Sequence, residues 1–356
     1  MRLTTLLGAM GVVSIRGSRS LRGIEVTGLA VDSREVIPGD LFFALSGSAA
    51  DGHDYLDQAW KRGAVGAVVS QVDRDCPIEQ FAAEDTREAL GLAACEFYDY
   101  PSGKFPLIGI TGTNGKTTVA FLVRTILARE GINCGLLGTI YNILGPDELE
   151  PSELTTRQAN DIQRMLARMV ENGCRAVVME VSSHGLDQKR SSGCRYQVAV
   201  FTNLTPDHLD YHADMEDYFR AKSILFQDLG SQGRAVVGWD DPYGERLVSQ
   251  IDGPLITFGE KKKSDIRIIS WRPESDGAVI KLEIFGRPVS AKVNLLGSFN
   301  AQNIAAAAGV AAAMGINTSH IEKALQALDP VPGRMEPVEQ GQPFRVIVDY
   351  AHTPDA

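Results

Sequence analysis

The stretch GITGTNGKTTVAFLVRTIL, residues 109–127, constrains the fold of this chain more than any other. The apolar residues 107–110 predict a buried strand, and the apolar spacing over residues 117–130 predicts a helix. The turn between them carries Gly112 and Gly115, which allow backbone N–H groups to point toward an anion at the positive end of the helix. We therefore expect an α/β domain with a phosphate-binding loop.

The loop has the pattern G-x-x-G-K-T and departs from the strict G-x-x-x-x-G-K-[ST] motif, because Ile110 stands at the first glycine position. Its lysine can pair with phosphate oxygens, and the hydroxyl of the following threonine can bind Mg²⁺. An ordinary glycine-rich turn is the alternative. The candidate nucleotide-binding residues are Gly112, Thr113, Asn114, Gly115, Lys116, Thr117 and Thr118.

Composition narrows the class of protein. The chain has 356 residues and a formal net charge of -10, a length for two domains and part of a third. The negative charge argues against nucleic-acid binding, which usually needs a basic face. Five cysteines without a CxxC pair argue against a disulfide framework and favour a reducing cytoplasm. The sequence contains no run of 18 apolar residues and therefore predicts no membrane span. Residues 1–20 lack a signal-peptide cleavage site.

Strands and helices alternate along the chain. Apolar runs at 64–69, 176–181 and 198–202 predict buried strands, and residues 218–227 and 301–314 predict helices. This order favours a mostly parallel sheet flanked by helices.

Domain boundaries follow from turn-forming residues. Two prolines, a glycine and a serine at 101–106 indicate a linker between an α/β domain, residues 1–101, and a central domain, residues 102–335. A strand expected at 344–350 lies six residues from the end of the sequence. We therefore expect residues 336–356 to begin a third domain.

The segment MEVSSHGLDQKR, residues 179–190, places Glu180 at the end of a buried strand. A buried carboxylate is costly unless it is paired or binds a metal, and the carboxyl ends of parallel strands face the ligand crevice. Glu180 is therefore a candidate Mg²⁺ ligand, with a capping carboxylate as the alternative. Ser183 does not fit the G-x-S-x-G pattern of a hydrolase, because Val181 occupies the first position.

Three further segments carry polar candidates. In FTNLTPDHLDYH, His208 is a candidate metal ligand or a surface histidine, and His212 is expected to be structural. In YFRAKSILF, Lys222 lies beside an apolar helical face, and this pattern alone indicates a lysine that extends its charged end to solvent. In LLGSFNAQN, Asn300 and Asn303 either cap a helix or contact a base.

Together these segments resemble the Mur ligase family. The chain is similar to the family in six motifs, which occur in the same order. The motifs are GITGTNGKTT, MEVSSHGL, FTNLTPDHLDYH, YFRAKSILF, LLGSFNAQNIAAA and VDYAHTPDA. The N-terminal AVDSREVIPGDLFFALSGSAADGHDY resembles the signature shared by the third and fourth family members, and EVSSHGL with TNLTPDHLDYH resembles the third.

The resemblance implies an ATP-dependent ligase of three domains that bind a UDP substrate, ATP and an amino acid. The substrate would be UDP-MurNAc-L-Ala-D-Glu, and the amino acid a diamino acid, with meso-diaminopimelate preferred over lysine. ATP would phosphorylate the D-Glu carboxylate, and an amine would displace phosphate to form the peptide bond. The resemblance also implies a cytoplasmic monomer that inserts into no membrane.

Roles for individual residues follow from the same resemblance. The catalytic residues implied are Lys116, Lys222 and His208. Thr117 and Glu180 would bind one Mg²⁺, His208 a second, and Lys222 would carry a carbamate derived from CO₂ and act as a metal ligand. Nucleotide contacts implied beyond the loop are Asn300, Asn303 and His352. Substrate contacts implied are Ser33, Ser48, Ala49, Ala50, Thr155, Thr156, Ser182, Gln188 and Arg190.

Two departures from the family pattern leave alternatives open. Arg157 follows the Thr-Thr pair where the family often has proline, and the Asp-Asn-Pro-Arg motif that selects the amino acid is expected beyond Ala356. The alternatives are a Mur ligase that adds D-Ala-D-Ala, a folate-polyglutamate ligase, and a nucleotide-binding protein that does not complete the ligation.

Overall fold

The computed structural model describes residues 1–14, 21, 23–47, 50–227 and 229–352. These residues divide into two compact units. The first unit comprises Met1–Pro101, Arg157–Ala167 and Gln188–Cys194. The second comprises Ser102–Thr156, Arg168–Asp187 and the chain from Arg195 onward. The first unit is therefore assembled from three separate stretches of sequence.

The first unit is a small α/β structure. Its elements are α1 (Leu3–Met10), β1 (Val13–Ser14), β2 (Gly28–Ala30), β3 (Asp40–Phe43), α2 (Leu56–Lys61), β4 (Gly66–Val69), β5 (Gln80–Ala82) and α3 (Thr86–Phe97). The sheet has the order β1-β5-β4-β3-β2, in which β2 to β5 run parallel and β1 pairs antiparallel with β5. Every residue of β3 and β4 is buried, as expected of central parallel strands.

Helix α3 begins at a well-defined cap. The Asp85 carboxylate accepts hydrogen bonds from the backbone N–H groups of Arg87 and Glu88. The buried face of α3 packs with α1 in one apolar core, which also includes Ala159 from the second stretch of this unit. That stretch therefore belongs to the core of the first unit.

The chain after residue 101 supplies the second unit and the two later stretches of the first. It begins with the strand predicted before the loop. Its elements are β6 (Leu107–Thr111), α4 (Lys116–Arg129), β7 (Cys134–Leu137), β8 (Tyr141–Gly145), β9 (Glu148–Pro151), α5 (Ala159–Glu171), β10 (Ala176–Glu180), α6 (Ser183–Asp187), β11 (Tyr196–Phe201), α7 (Met215–Gln227), β12 (Leu229–Gly238), α8 (Pro242–Gln250), β13 (Leu255–Gly259), β14 (Ile266–Glu274), β15 (Gly277–Ile284), β16 (Arg287–Val293), α9 (Asn300–Ala313), α10 (Thr318–Leu325), β17 (Glu336–Val338) and β18 (Val346–Val348).

The central sheet has eleven strands in the order β16-β15-β14-β13-β12-β11-β6-β10-β7-β8-β9. Neighbouring strands from β14 to β7 in this order run parallel. Antiparallel pairs extend both edges, and β17 and β18 form a separate two-stranded sheet. The predicted α/β class with a mostly parallel sheet is confirmed, whereas the antiparallel edges were not predicted.

Helix α9 lies close against the sheet because its residues are small. Its alanines 305–308 are completely buried, and a Cβ added to Gly309 would lie 2.8 Å from Cγ1 of Val236 on β12. The same helix packs against α4. This packing places the first turn of α9, with its two asparagines, beside the loop that precedes α4. Among the described residues, no helix combines the length and apolar character that crossing a bilayer requires.

Candidate functional site

The predicted polar residues of the second unit gather where three parallel strands end. Strand β6 lies between β10 and β11, and all three run in the same direction. The loop of residues 112–115 follows β6, Glu180 is the last residue of β10, and Thr202 and Asn203 follow β11. The parallel register thus brings together groups that are far apart in sequence.

The loop before α4 requires glycine at two positions. Gly112 and Gly115 have φ angles of 145° and 88°. A Cβ on Gly112 would lie 1.9 Å from Oγ1 of Thr202, and one on Gly115 would lie 2.4 Å from Oδ1 of Asn303. Both the backbone conformation and the close neighbours therefore exclude a larger side chain.

The amides of this loop are only partly oriented as the sequence predicted. The N–H groups of Thr113 and Asn114 donate to the backbone oxygen and Oδ1 of Asn203, at 3.0 and 2.9 Å. They hold the loop to the end of β11. Anion binding is therefore better assigned to the first turn of α4, whose N–H groups lie at the positive end of the helix.

Lys116 is folded back over the loop. Its Nζ donates to the backbone oxygens of Gly112 and Thr113, both at 2.9 Å. Burial lowers the pKa of Lys116, and the negative charge of Glu180 opposes that shift. The lysine thus lies inside the loop that it was predicted to serve.

Glu180 has no exposed surface, yet its carboxylate is well satisfied. Oε2 accepts hydrogen bonds from the hydroxyls of Thr117 and Thr139 at 2.8 and 2.9 Å, and Oε1 accepts one from the Thr139 N–H at 2.9 Å. Such charge-assisted hydrogen bonds offset the cost of burying the carboxylate. Thr139 was missed by sequence reasoning because it lies in no motif.

Three predicted substrate residues surround the same strand end. The hydroxyls of Thr155 and Thr139 lie 3.1 Å apart. The Thr156 hydroxyl donates to the backbone oxygen of Glu180 at 3.1 Å and accepts from the N–H of Ser182 at 3.0 Å. The Ser182 hydroxyl accepts from the N–H of Gly185 at 3.0 Å, which supports the start of α6.

Lys222 is the most unusual group in the site. Only 1% of its surface is exposed, its Nζ donates to the backbone oxygen of Gly112 at 2.8 Å, and it lies 4.5 Å from the centre of the Tyr218 ring. Burial and the positive charge of Lys116 hold the pKa of Lys222 well below its ordinary value. The local pattern predicted that Lys222 extends its charged end to solvent. This prediction is wrong, because the face of α7 that carries Lys222 packs against the phosphate loop.

His208 follows β11 in a left-handed conformation with φ of 54°. Its Nε2 lies 3.6 Å from Oδ2 of Asp207, and its ring meets that of His184 edge-on with centroids 4.9 Å apart. Burial lowers the pKa of His208, so the neutral imidazole, the form that binds metals, is favoured at neutral pH. His212 is buried, with Nδ1 3.4 Å from Oδ2 of Asp217.

The side chains present suit Mg²⁺ better than a metal that is held by a cluster of protein side chains. No three histidine, cysteine or acidic side chains cluster as a metal centre in the part of the chain that the structure describes. The Thr117 hydroxyl and the Glu180 carboxylate instead offer two oxygens 2.8 Å apart. Mg²⁺ commonly uses one or two protein oxygens together with water and substrate phosphates. The residues present therefore fit Mg²⁺ bound with a nucleotide.

The two asparagines at the start of α9 do not cap it. Asn300 donates from Nδ2 to the backbone oxygen of Leu296 at 2.7 Å, and Asn303 donates from Nδ2 to Oδ1 of Asn300 at 2.8 Å. The capping alternative is wrong, because these amides bond to each other and to the preceding turn. Since Oδ1 of Asn303 lies against Gly115, the pair adjoins the phosphate loop.

Arg334 joins the site from the far end of the chain. Its Nη2 donates to the Thr117 hydroxyl at 3.2 Å, and its guanidinium lies 4.8 Å from the centre of the Tyr350 ring. His352 is exposed, with Nδ1 2.8 Å from the backbone oxygen of Tyr350. The sequence analysis placed a domain boundary at residue 335 and missed Arg334 as a residue of the site.

The remaining substrate candidates belong to the first unit. Ser33 is buried and donates to Oε1 of Gln58 at 2.7 Å, and the backbone oxygen of Ala50 accepts from the N–H of Gly47 at 2.9 Å. Oε1 of Gln188 accepts two hydrogen bonds from Arg190, at 3.1 Å from Nε and 2.7 Å from Nη2. The other two candidates, Ser48 and Ala49, lie outside the described residues.

Comparison with known proteins identifies the family. The model of the Mur ligase middle domain matches residues 110–311, and that of the Mur ligase family, catalytic domain, matches residues 25–98. A protein of Geobacillus thermodenitrificans NG80-2, UDP-N-acetylmuramoyl-L-alanyl-D-glutamate--2,6-diaminopimelate ligase, is 40% identical over 363 residues, covering 100% of this chain and 73% of its own. This chain belongs to the Mur ligase family.

Further relatives agree with this assignment. A protein of Aquifex aeolicus VF5 with the same name is 43% identical over 333 residues, covering 93% of this Mur ligase and 67% of its own chain. A solved structure of a ligase of that name superposes with a TM-score of 0.81 at 27% identity, covering 97% of this chain and 72% of the other. The family predicted from the motifs is confirmed, and the protein is a ligase, ATP-dependent like other members of the family.

Proposed function

We propose that this Mur ligase uses ATP to join meso-diaminopimelate to UDP-MurNAc-L-Ala-D-Glu. The observation that carries the proposal is the consistent name of its relatives, which are about 40% identical along the whole chain. That name favours this reaction over the addition of D-Ala-D-Ala or of folate-linked glutamate. We also infer that the enzyme is cytoplasmic, because ATP and UDP-linked precursors are cytoplasmic, and, from the family resemblance, that it is a monomer.

The phosphate loop and α4 would hold ATP. In this proposal Gly112, Gly115 and Lys116 shape the loop, while the first turn of α4 and the lysine bind the β- and γ-phosphates. Asn300 and Asn303 would contact the adenine side of ATP, supported by their position against Gly115, and His352 would contact the nucleotide.

Thr117 and Glu180 would hold one Mg²⁺, and His208 with Lys222 a second. When bound, Mg²⁺ neutralises charge on the phosphates and polarises the phosphoryl group that is transferred. Carbamylation of Lys222 is supported by its environment, because CO₂ adds only to a neutral amine and burial favours that form. The carbamate would replace a buried neutral amine with an anionic oxygen donor.

The reaction would proceed by two substitutions. The side-chain carboxylate of D-Glu attacks the γ-phosphate of ATP, which yields an acyl phosphate and ADP. The amine of the diamino acid then attacks the acyl carbon, inorganic phosphate leaves, and the amine loses a proton as the amide forms. The cationic loop lysine would stabilise the charge that develops on the transferred phosphate.

Substrate contacts are proposed for each unit by itself. Residues 1–101 would bind the UDP end through Ser33 and the loop of residues 48–50, and residues 102–335 would bind ATP. The muramoyl-peptide contacts proposed are Thr155, Thr156, Ser182, Gln188 and Arg190. Arg190 is suited to a substrate carboxylate or diphosphate because a guanidinium can bind either by two hydrogen bonds.

The test is phosphate release from ATP by the 356-residue chain with Mg²⁺ and UDP-MurNAc-L-Ala-D-Glu. We expect release to require meso-diaminopimelate and to remain at background with lysine or with D-Ala-D-Ala. A Lys116→Met variant should bind the UDP substrate but not turn over. Release with lysine instead would overturn the proposed amino acid. Binding of both nucleotides without any release would favour a nucleotide-binding protein, and no binding of the UDP substrate would overturn the proposal as a whole.

A further inference from the structure

The segment Gln188–Cys194 of the first unit carries Lys189 between the two proposed substrate residues Gln188 and Arg190. The φ angle of Lys189 is 52°, a left-handed conformation that residues with a side chain adopt only uncommonly. Such a conformation persists only where the surrounding contacts hold it. The contacts of Lys189 itself supply an explanation.

The ammonium group of Lys189 bridges two carboxylates of α3. Its Nζ lies 2.8 Å from Oδ2 of Asp85 and 2.6 Å from Oε2 of Glu88. Asp85 is also the cap of α3, so its carboxylate is fixed by two backbone N–H groups. Through Asp85, the lysine is therefore bound to a rigid point of the helix.

Two further contacts continue along α3. A Cβ on Gly91 would lie 2.5 Å from Cβ of Ser192, so the segment touches the helix backbone there. One turn later Cys95 donates from Sγ to the backbone oxygen of Gly193 at 3.3 Å. Positions 85, 88, 91 and 95 lie on one face of the helix, since they are three or four residues apart. The segment thus follows α3 for about three turns.

We propose that Lys189 is a positioning residue, whose bridge to Asp85 and Glu88 fixes the segment so that Arg190 is oriented before the peptide substrate binds. The inference rests on the proposed function, because it takes Arg190 as a substrate contact. Arg190 is itself aligned by the two hydrogen bonds that it donates to Oε1 of Gln188. Because the backbone between Gln188 and Arg190 is anchored, the guanidinium of Arg190 is already ordered when the substrate binds. Binding therefore does not have to offset the entropy of ordering it.

The test compares Lys189→Met with the parent protein. Two partly exposed ion pairs contribute modestly, so we expect UDP-MurNAc-L-Ala-D-Glu to bind about fivefold more weakly, with the affinity for ATP and the melting temperature unchanged. The affinity of the variant should also fall less steeply with added salt, because a screened ion pair has been removed. The matched control is Lys61→Met, which removes an ion pair with Asp57 on α2 of the same unit and should change nothing.

Removing the partners should have the same effect as removing the lysine. In Asp85→Asn with Glu88→Gln, the asparagine still caps α3 while both charges are lost, and substrate binding should weaken about fivefold. A triple variant, Asp85→Asn, Glu88→Lys and Lys189→Glu, restores one ion pair with its two charges exchanged between positions 88 and 189. It should recover part of the affinity for the substrate. Equal substrate affinity in the parent, Lys189→Met and the charge-free variant would overturn the proposal.

Hydrogen exchange of the free protein separates this inference from the proposed function. Amides of residues 188–194 should exchange faster in Lys189→Met than in the parent, while those of α3 should not change. If the parent does not bind the UDP substrate, the proposed function fails. If exchange in the segment is unchanged by the substitution, the anchoring role of Lys189 fails, whatever the substrate.

Discussion

Lys222 gives the most quantitative prediction, because it is buried as an amine with a lowered pKa. Its ordinary pKa of 10.5 applies in the unfolded chain, and the folded value lies well below it. At a pH between these two values the unfolded state binds one proton more than the native state. The free energy of unfolding therefore rises with pH in that window, by about 1.36 kcal/mol per pH unit from this group.

The substitution Lys222→Met removes the titrating group and keeps a side chain of similar length. Below the folded pKa both states are protonated and the group contributes no pH dependence. Across the window, the stability of the wild type relative to the variant should rise by about 1.36 kcal/mol per pH unit. The two proteins are compared by urea unfolding at several pH values up to 10, in CO₂-free buffer without Mg²⁺.

The comparison centres on Lys222 because the other titrating groups are present in both proteins, and the charge of Lys222 also lowers the pKa of His208. The control is Lys281→Met, at an exposed position of β15. Its free energy of unfolding should change with pH as that of the wild type does. If the difference in stability between wild type and Lys222→Met does not change with pH, Lys222 keeps its proton in the native state. The argument from burial would then be refuted.

Three further predictions concern activity. Lys222→Ala should lose at least 100-fold in ligase activity, as expected when a charged group at the reaction centre is removed, and an added small carboxylic acid but not CO₂ should restore part of it. Gly115→Ala should weaken ATP binding at least tenfold in calorimetry, since its Cβ would lie 2.4 Å from an asparagine oxygen, whereas Gly131→Ala, with open space at its Cβ, should not. Arg334→Gln loses its hydrogen bond to the threonine hydroxyl of the phosphate loop and should lower kcat about tenfold at saturating ATP, with a melting temperature close to that of the wild type.

The parts of the site that sequence predicted are those with a local signature. The phosphate loop is a continuous stretch between a strand and a helix, so its glycines and Lys116 could be found directly. Glu180 was found because a charge at the end of an apolar run is conspicuous. The assignment of Lys222 from periodicity failed, because periodicity locates a helical face but not the element that packs on it.

Contacts between distant parts of the chain had no such signature. Arg334 meets Thr117 across 217 positions, and Thr139 meets Glu180 across 41. Neither Arg334 nor Thr139 lies in a motif that implies its partner. The three-part composition of the first unit was not predicted for the same reason, since its later stretches are joined to it only through tertiary packing.

That composition has a consequence for biosynthesis. Residues 157–167 and 188–194 leave the ribosome after the first 101 residues, so the first unit cannot be completed when its own N-terminal stretch has been translated. At about 5–20 residues per second, the following residues up to 194 take on the order of 5–20 s to synthesise. During that interval the nascent chain exposes the face of α3 that residues 191–194 later cover. The unit therefore matures only after about a third of the second one has been translated, and until then this face is open to chaperones.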